Sequence, residues 1–308
     1  MPASPLATVV SVGLATLLSF APHLAGAPGA ASAAPARAGG ETRANAAQTD
    51  FGKGIRLPSD AVKRLKSGDP VQVKSALDDV RVSAKAGAPA VPAIIDLLAE
   101  GLPPELAQEA IDALGDTESE AASSSLSWYA RHRNLRLRRS AVQALARTRG
   151  AVAVKALRTA LSDFDPEVRG LAATGLGTLR AKEAVGDLFL ALDHKVPEAS
   201  RSIGLLCVGD ECDRLAAKLG SQPFEVMTSG LHEALLRLSD DVPEELKVKI
   251  VGRVRELGTG EANRFLREIQ AKWPQRGSRR VKQAIDQAVL ATSGSPGAGA
   301  RDPEGKTP

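Results

Sequence analysis

Apolar residues return along the middle of this chain at a fixed interval of 31. Ala110, Ala141 and Ala172 keep that interval, and so do Leu114, Leu145 and Leu176, each followed by a small residue at Gly115, Ala146 and Gly177. A second set trails each of these: Ala122, Leu126 and Ala130, then Ala153, Leu157 and Leu161, then Ala184, Leu188 and Leu192. Within each of these trailing sets the residues stand four apart, which places them on one face of a short helix. The repeating unit is therefore two helices joined by a short turn. Small residues on the first helix let neighbouring units approach, and the leucines fill the space between them. Pro104, Pro166 and Pro197 fall on the same register. Proline in an opening turn costs no hydrogen bond and presets φ, so each marks the start of a first helix. Leu106, Leu137, Val168 and Ala199 follow in phase.

The segment Asp165-Pro166-Glu167-Val168-Arg169, with GLAATGLGTL and then AKEAVGDLFLAL, resembles the short bacterial HEAT repeats, a subclass also found in phycobilisome lyases. The resemblance covers about residues 69 to 220 and returns further on. There Leu246, Ile250, Val254 and Leu257 match Val168, Ala172, Leu176 and Leu179 at a shift of 78, which is not a multiple of 31. An irregular helix, about Pro223 to Leu238, is therefore expected to interrupt the register, and a last helix, Arg279 to Ala291, to cap the stack. At the other end Asp69-Pro70, VQVKSALDDV and AVPAIIDLLAEGL look like another copy with a longer turn. The resemblance implies an all-α fold, an α-solenoid of stacked helix pairs with the second helices on the concave side. We expect a right-handed stack of five or six pairs over residues 53–292. The family links neighbouring repeats by aspartate–arginine pairs. Arg138 and Arg169 occupy the arginine position, but Ala107 and Ser200 stand there elsewhere, so no continuous ladder is expected.

Composition agrees with closely packed helices. Hydrophobic residues make up 43% of the chain and aromatics only 3%, so the core must be Ala, Leu, Val and Ile. A formal net charge of +4 is too small to imply a polyanionic partner. Leu6 to Phe20 carry no charge and have the length of a signal-peptide apolar region, with small-residue cleavage sites at Ala25-Gly26-Ala27 and Ala31-Ser32-Ala33. Residues 1–5 hold no Lys or Arg, which a mis-chosen start codon or an uncleaved amphipathic or apolar anchor would explain, and a disordered Ala-rich leader is the remaining alternative. Residues 1–33 thus read as a signal peptide or apolar leader, 34–52 as a disordered linker and 293–308 as a disordered tail. The expected location is periplasmic or secreted.

Catalysis needs converging titratable groups. His23 lies in the leader, and His132, His194 and His232 fall on different repeats. There is no H-E-x-x-H and no G-x-S-x-G. Gly305-Lys306-Thr307 has neither the upstream glycine nor the strand and helix of a phosphate loop. No catalytic residue, metal site or cofactor is expected. The basic run Arg131 to Arg139, RHRNLRLRR, has two readings: an anion-binding edge, or a solvated turn between repeats. Arg276, Arg279, Arg280 and Lys282 read as the polar face of the capping helix. Tyr129 falls on the core side, whereas Trp128 is rotated away; its register mates are Thr159 and Leu190, and Leu190 suggests packing. Trp128, Arg131, Arg133 and Arg136 are the candidate binding surface. Cys207 takes the register place of Leu176 and Cys212 that of Ala181, with Gly209 and Asp210 suited to a helix stop and a new cap. A turn of that kind can close a disulfide in an oxidising compartment. The alternative is a buried Cys207 and an exposed Cys212 thiol.

These residues point to a non-enzymatic scaffold or adaptor, acting as a monomer, whose partner is another protein. A membrane enters only through an uncleaved leader. One alternative is an anion- or nucleic-acid-binding solenoid using the Arg131–Arg139 edge. It is disfavoured because few aromatics are available to stack on bases and an exported protein rarely meets nucleic acid. The other, a lyase- or chaperone-like helper of a cofactor protein, rests on the resemblance alone.

Overall fold

The structure is a computed structural model that describes residues 56–238 and 240–293. The proposed leader, the linker and nearly all of the tail lie outside the described residues. The described residues form α-helices joined by turns and short 3-10 segments, and their only β pairing is an isolated bridge between Leu219 and Gln222. After α1 (Ala61–Leu65) the helices follow as seven pairs. The first members are α2 (Pro70–Ser83), α4 (Pro104–Asp116), α6 (Leu135–Leu145), α8 (Pro166–Thr178), α10 (Glu198–Leu206), α12 (Phe224–Leu236) and α14 (Gly260–Lys272). Their partners are α3 (Val91–Glu100), α5 (Ser123–Tyr129), α7 (Ala151–Ala160), α9 (Val185–Asp193), α11 (Asp210–Ala217), α13 (Glu244–Glu256) and α15 (Arg279–Thr292).

The register explains both where helices begin and what they bury. Asp69, Asn134 and Asp165 cap α2, α6 and α8 by accepting hydrogen bonds from the backbone N–H groups of Val71, Arg136 and Val168. Pro70, Pro104 and Pro166 occupy the first helical position, while Pro197 stands just before α10, one residue earlier than the register suggests. Ala110, Ala141, Ala172, Leu114, Leu145 and Leu176 are fully buried, as are Leu126, Leu157 and Leu188 on the second helices. First helices α2, α4, α6, α8 and α10 stack in one row, each packing on the next. The longer turn expected between α2 and α3 is a 3-10 segment, Ala84–Ala90.

Two expectations change here. The stack has seven pairs rather than five or six, and α12 is a regular helix rather than an irregular interruption. Gly204 on α10 and Gly230 on α12 meet face to face, so closely that a β-carbon on Gly204 would sit 2.1 Å from the Gly230 carbonyl oxygen. That contact continues the first-helix row through α12. α13 then lies against α11, and α15 against α13. The basic residues of α15 are exposed as expected, with Arg280 paired to Glu245 at 2.8 Å and Lys282 to Asp286 at 2.9 Å.

Candidate protein-binding face

A helix of a two-row stack buries the residues that face its partner and its neighbours, leaving an outward strip free. On second helices α5, α7 and α9 that strip holds Trp128, Thr159 and Leu190, one per repeat at the interval of 31. Trp128 is 63% exposed and Leu190 58%. The packing role that the register suggested for Leu190 is thereby corrected: position 190 points outward, and the inner face of α9 is filled by Leu188, Phe189 and Leu192. Tyr129, as expected, is buried, and its hydroxyl donates to the Leu98 carbonyl at 3.0 Å.

Between successive second helices lie three grooves that share one design. The first, about 740 Å³, runs between α3 and α5 and is lined by Leu98, Leu102, Trp128, Tyr129, His132 and Arg133 among others. The second, about 360 Å³, lies between α5 and α7, with Ala130, Arg131, Val152, Lys155, Thr159 and Asp163 on its walls. The third, about 400 Å³, lies between α7 and α9, with Leu161, Asp163, Asp187, Leu190 and His194. Positions 132, 163 and 194 recur on their walls, as do 128, 159 and 190. In the first groove Trp128 meets Tyr129 edge to face at 5.2 Å, and the Tyr129 and His132 rings stack at 5.6 Å. This packing holds the indole without covering it.

The basic run divides in two. Arg138 and Arg139 turn inward to ion pairs: Arg138 with Asp163 at 2.9 Å, and Arg139 as a fork onto Asp165 at 3.0 and 2.8 Å. The Arg139 guanidinium holds the Asp165 carboxyl below its ordinary range. Arg131, Arg133 and Arg136 are exposed and form no ion pair among the described residues. Arg131 borders the second groove and Arg133 the first, while Arg136 sits in the first turn of α6 outside both. Two neighbours escaped the sequence reading. Phe164, in the turn before α8, is 100% exposed, and Lys155 on α7 is exposed without an ion pair among the described residues.

A family described as HEAT repeats matches residues 91–163, from α3 to the turn before α8. From α3 to the turn before α8 the chain therefore carries HEAT repeats. Among solved structures it is similar to the complex of CpcE and CpcF of phycocyanin lyase from Nostoc sp. PCC7120, at 17% identity and a TM-score of 0.42, covering 75% of this chain and 93% of that one. An engineered protein is similar at 19% identity and a TM-score of 0.42, covering 77% and 68%. A designed armadillo repeat protein in complex with the peptide (KR)4 is similar at 18% and 0.32, covering 76% and 98%. No curated protein matches the sequence.

The HEAT repeats keep one aspartate–arginine rung. Asp163 receives Arg138, and Arg169 donates to the Asp163 and Phe164 carbonyls at 2.8 and 3.1 Å. At positions 132 and 194 the aspartate is replaced by histidine, so the rung has no continuation. A second ladder links the first helices instead, with Asp116 bridging Arg81 at 3.2 Å and Arg147 at 3.1 Å. No group of three or more His, Cys, Asp and Glu that could hold a metal ion occurs among the described residues.

Cys207 and Cys212 are set at disulfide distance, with Cα atoms 5.2 Å apart and both side chains buried. Cys207 ends α10, and Gly209, at φ 49°, opens α11 where the register placed the turn. Arg237, from the end of α12, braces this turn. It donates to the Leu205 carbonyl at 2.7 Å and to the Cys207 carbonyl, and lies 3.7 Å from the Cys212 Sγ. Burial lowers the pKa of Arg237 and of the neighbouring Lys247, whose ammonium donates to the Arg237 carbonyl.

Proposed function

We propose that this chain is a non-enzymatic scaffold or adaptor that binds another protein through the α5–α7–α9 face, in the cell envelope or outside the cell. The observation that carries the reading is the trio of register-related grooves, with exposed Trp128 on the first and exposed Leu190 on the third, and with exposed Phe164 in the turn that follows α7. Monomeric proteins rarely leave such residues uncovered in one region, and an exposed tryptophan beside arginine is the usual composition of a binding hot spot. The grooves are shallow and open rather than enclosing, which suits a polypeptide better than a small reactant. A photo-cross-linking residue in place of Trp128, in the producing cell, is expected to trap a discrete protein adduct. Its failure to form any protein adduct removes the reading.

The location is supported by the apolar leader and by the buried cysteine pair, because an oxidising compartment closes such pairs. Protein purified from its native compartment and denatured under alkylation is expected to show no free thiol. Two free thiols per chain would contradict both the bond and the exported location.

A further inference from the structure

The charges around the three grooves are unbalanced, and that imbalance deepens the protein-binding reading on which this inference rests. Asp163, Asp165, Asp187 and Asp193 border the grooves and their turns, and each is held in an ion pair, with Arg138, Arg139, Arg158 and Lys218 respectively. The cations Arg131, Arg133, Lys155 and Lys195 are exposed and form no ion pair among the described residues. Glu183, exposed and likewise unpaired among the described residues, precedes α9 at its other end. On α3, the far wall of the first groove, Asp96 and Glu100 are also exposed and unpaired among the described residues, but along α5, α7 and α9 the free charge is positive, and the occupant that fits there is acidic.

Spacing narrows the occupant further. α5 packs against α7, and packed helices stand about 8–10 Å apart, so apolar anchors in the grooves on either side of α5 should repeat at about that distance. A β-strand brings a side chain back to the same face about every 7 Å, and it needs an edge to pair with. A polyproline II segment rises about 3.1 Å per residue with three residues per turn, so every third side chain returns to one face after about 9 Å. Its backbone needs no ladder partner, and α5, α7 and α9 have none to offer.

We propose that the α5–α7–α9 face binds an extended, acidic, polyproline II-like segment of a partner protein. One apolar side chain sits in each groove, the first against Trp128, and the intervening carboxylates meet Arg131, Arg133 and Lys155.

Fluorescence anisotropy with labelled synthetic peptides tests this on the full-length chain. (Glu-Pro-Leu)4 is expected to bind, to weaken as salt rises, and to outbind (Lys-Pro-Leu)4 and the alternating (Glu-Leu)6 by about tenfold or more. Trp128→Ala and the combined Arg131→Ser, Arg133→Ser, Arg136→Ser variant should each lose about tenfold in affinity. The triple variant should also flatten the salt dependence, with the circular dichroism of both unchanged. Arg136 is included because, exposed and unpaired on α6, it adds to the same field. Equal binding of the basic peptide overturns the charge assignment, and equal binding of (Glu-Leu)6 overturns the spacing. Duplex DNA displacing the peptide and binding more tightly would make the edge a nucleic-acid site and overturn the proposal. If no peptide binds while the Trp128 cross-linker still traps a protein, the partner chemistry is wrong and the scaffold reading survives. If both fail, both fall.

Discussion

Leu145→Asp is expected to unfold the middle of the stack. Leu145 is fully buried near the end of α6, and α6 packs against both α4 and α8. Truncating a leucine at such a site costs about 2–5 kcal/mol. An aspartate adds the penalty of a buried, unpaired charge, which after relaxation is still several kcal/mol. Together these rival the whole stability of an ordinary domain, about 5–15 kcal/mol. A repeat array holds together through contacts between adjacent repeats, so losing one central helix separates the two ends. Far-UV circular dichroism should show a large loss of helix or a melting point lower by more than about 10 °C. Leu145→Met, which conserves volume, should cost less than about 1.5 kcal/mol. A Leu145→Asp protein that melts like wild type would mean that the 31-residue register does not describe the core.

The second large effect is a sign reversal between two glycine-to-alanine changes. In a helix interior alanine is better than glycine by about 1 kcal/mol. Gly186, in the first turn of α9, has nothing within 4 Å of where a β-carbon would stand, so Gly186→Ala should raise stability by about 0.4–1 kcal/mol. Gly204 on α10 is also helical, but its β-carbon would lie 2.1 Å from the Gly230 carbonyl oxygen and 2.7 Å from the carbonyl carbon. Backbone cannot rotate away as a side chain can, so α10 and α12 must separate along their whole contact. Gly204→Ala is therefore expected to destabilise by about 1–3 kcal/mol or more, as overpacked cores do. Urea titration of the two variants measures both. Stabilisation by Gly204→Ala would show that α10 and α12 do not meet at this contact.

These cases show what kind of information lay in the sequence. The interval of 31 was legible because every repeat must bury the same positions, and Ala110, Leu145 and Leu188 obey it without tertiary knowledge. For Trp128 the sequence left two readings, since its rotation away from Leu126 allowed an outward position while its register mate Leu190 argued for packing. Leu190 was misread because hydrophobicity alone does not say which side of α9 a residue occupies; position 190 shares its strip with Trp128, and the strip faces outward. The role of α12 was hidden because the contact that admits it pairs Gly204 with Gly230, and a glycine in a helix announces nothing about what approaches it. Arg237 was hidden too. It lies 30 residues from Cys207, and only the turn of the stack brings its guanidinium to the cysteine pair. The grooves needed the stack itself, since each is built from two repeats.

The measurement that bears most directly on the scaffold reading is a cross-linking scan of both helix rows in the producing cell. Photo-reactive residues would be placed at positions 128, 159 and 190 on the second helices, and at Gln143 and Thr174, exposed register mates on first helices α6 and α8. The account predicts the same discrete protein adduct from 128, 159 and 190, and none from 143 or 174. Adducts from 143 and 174 with none from the second-helix positions would contradict it.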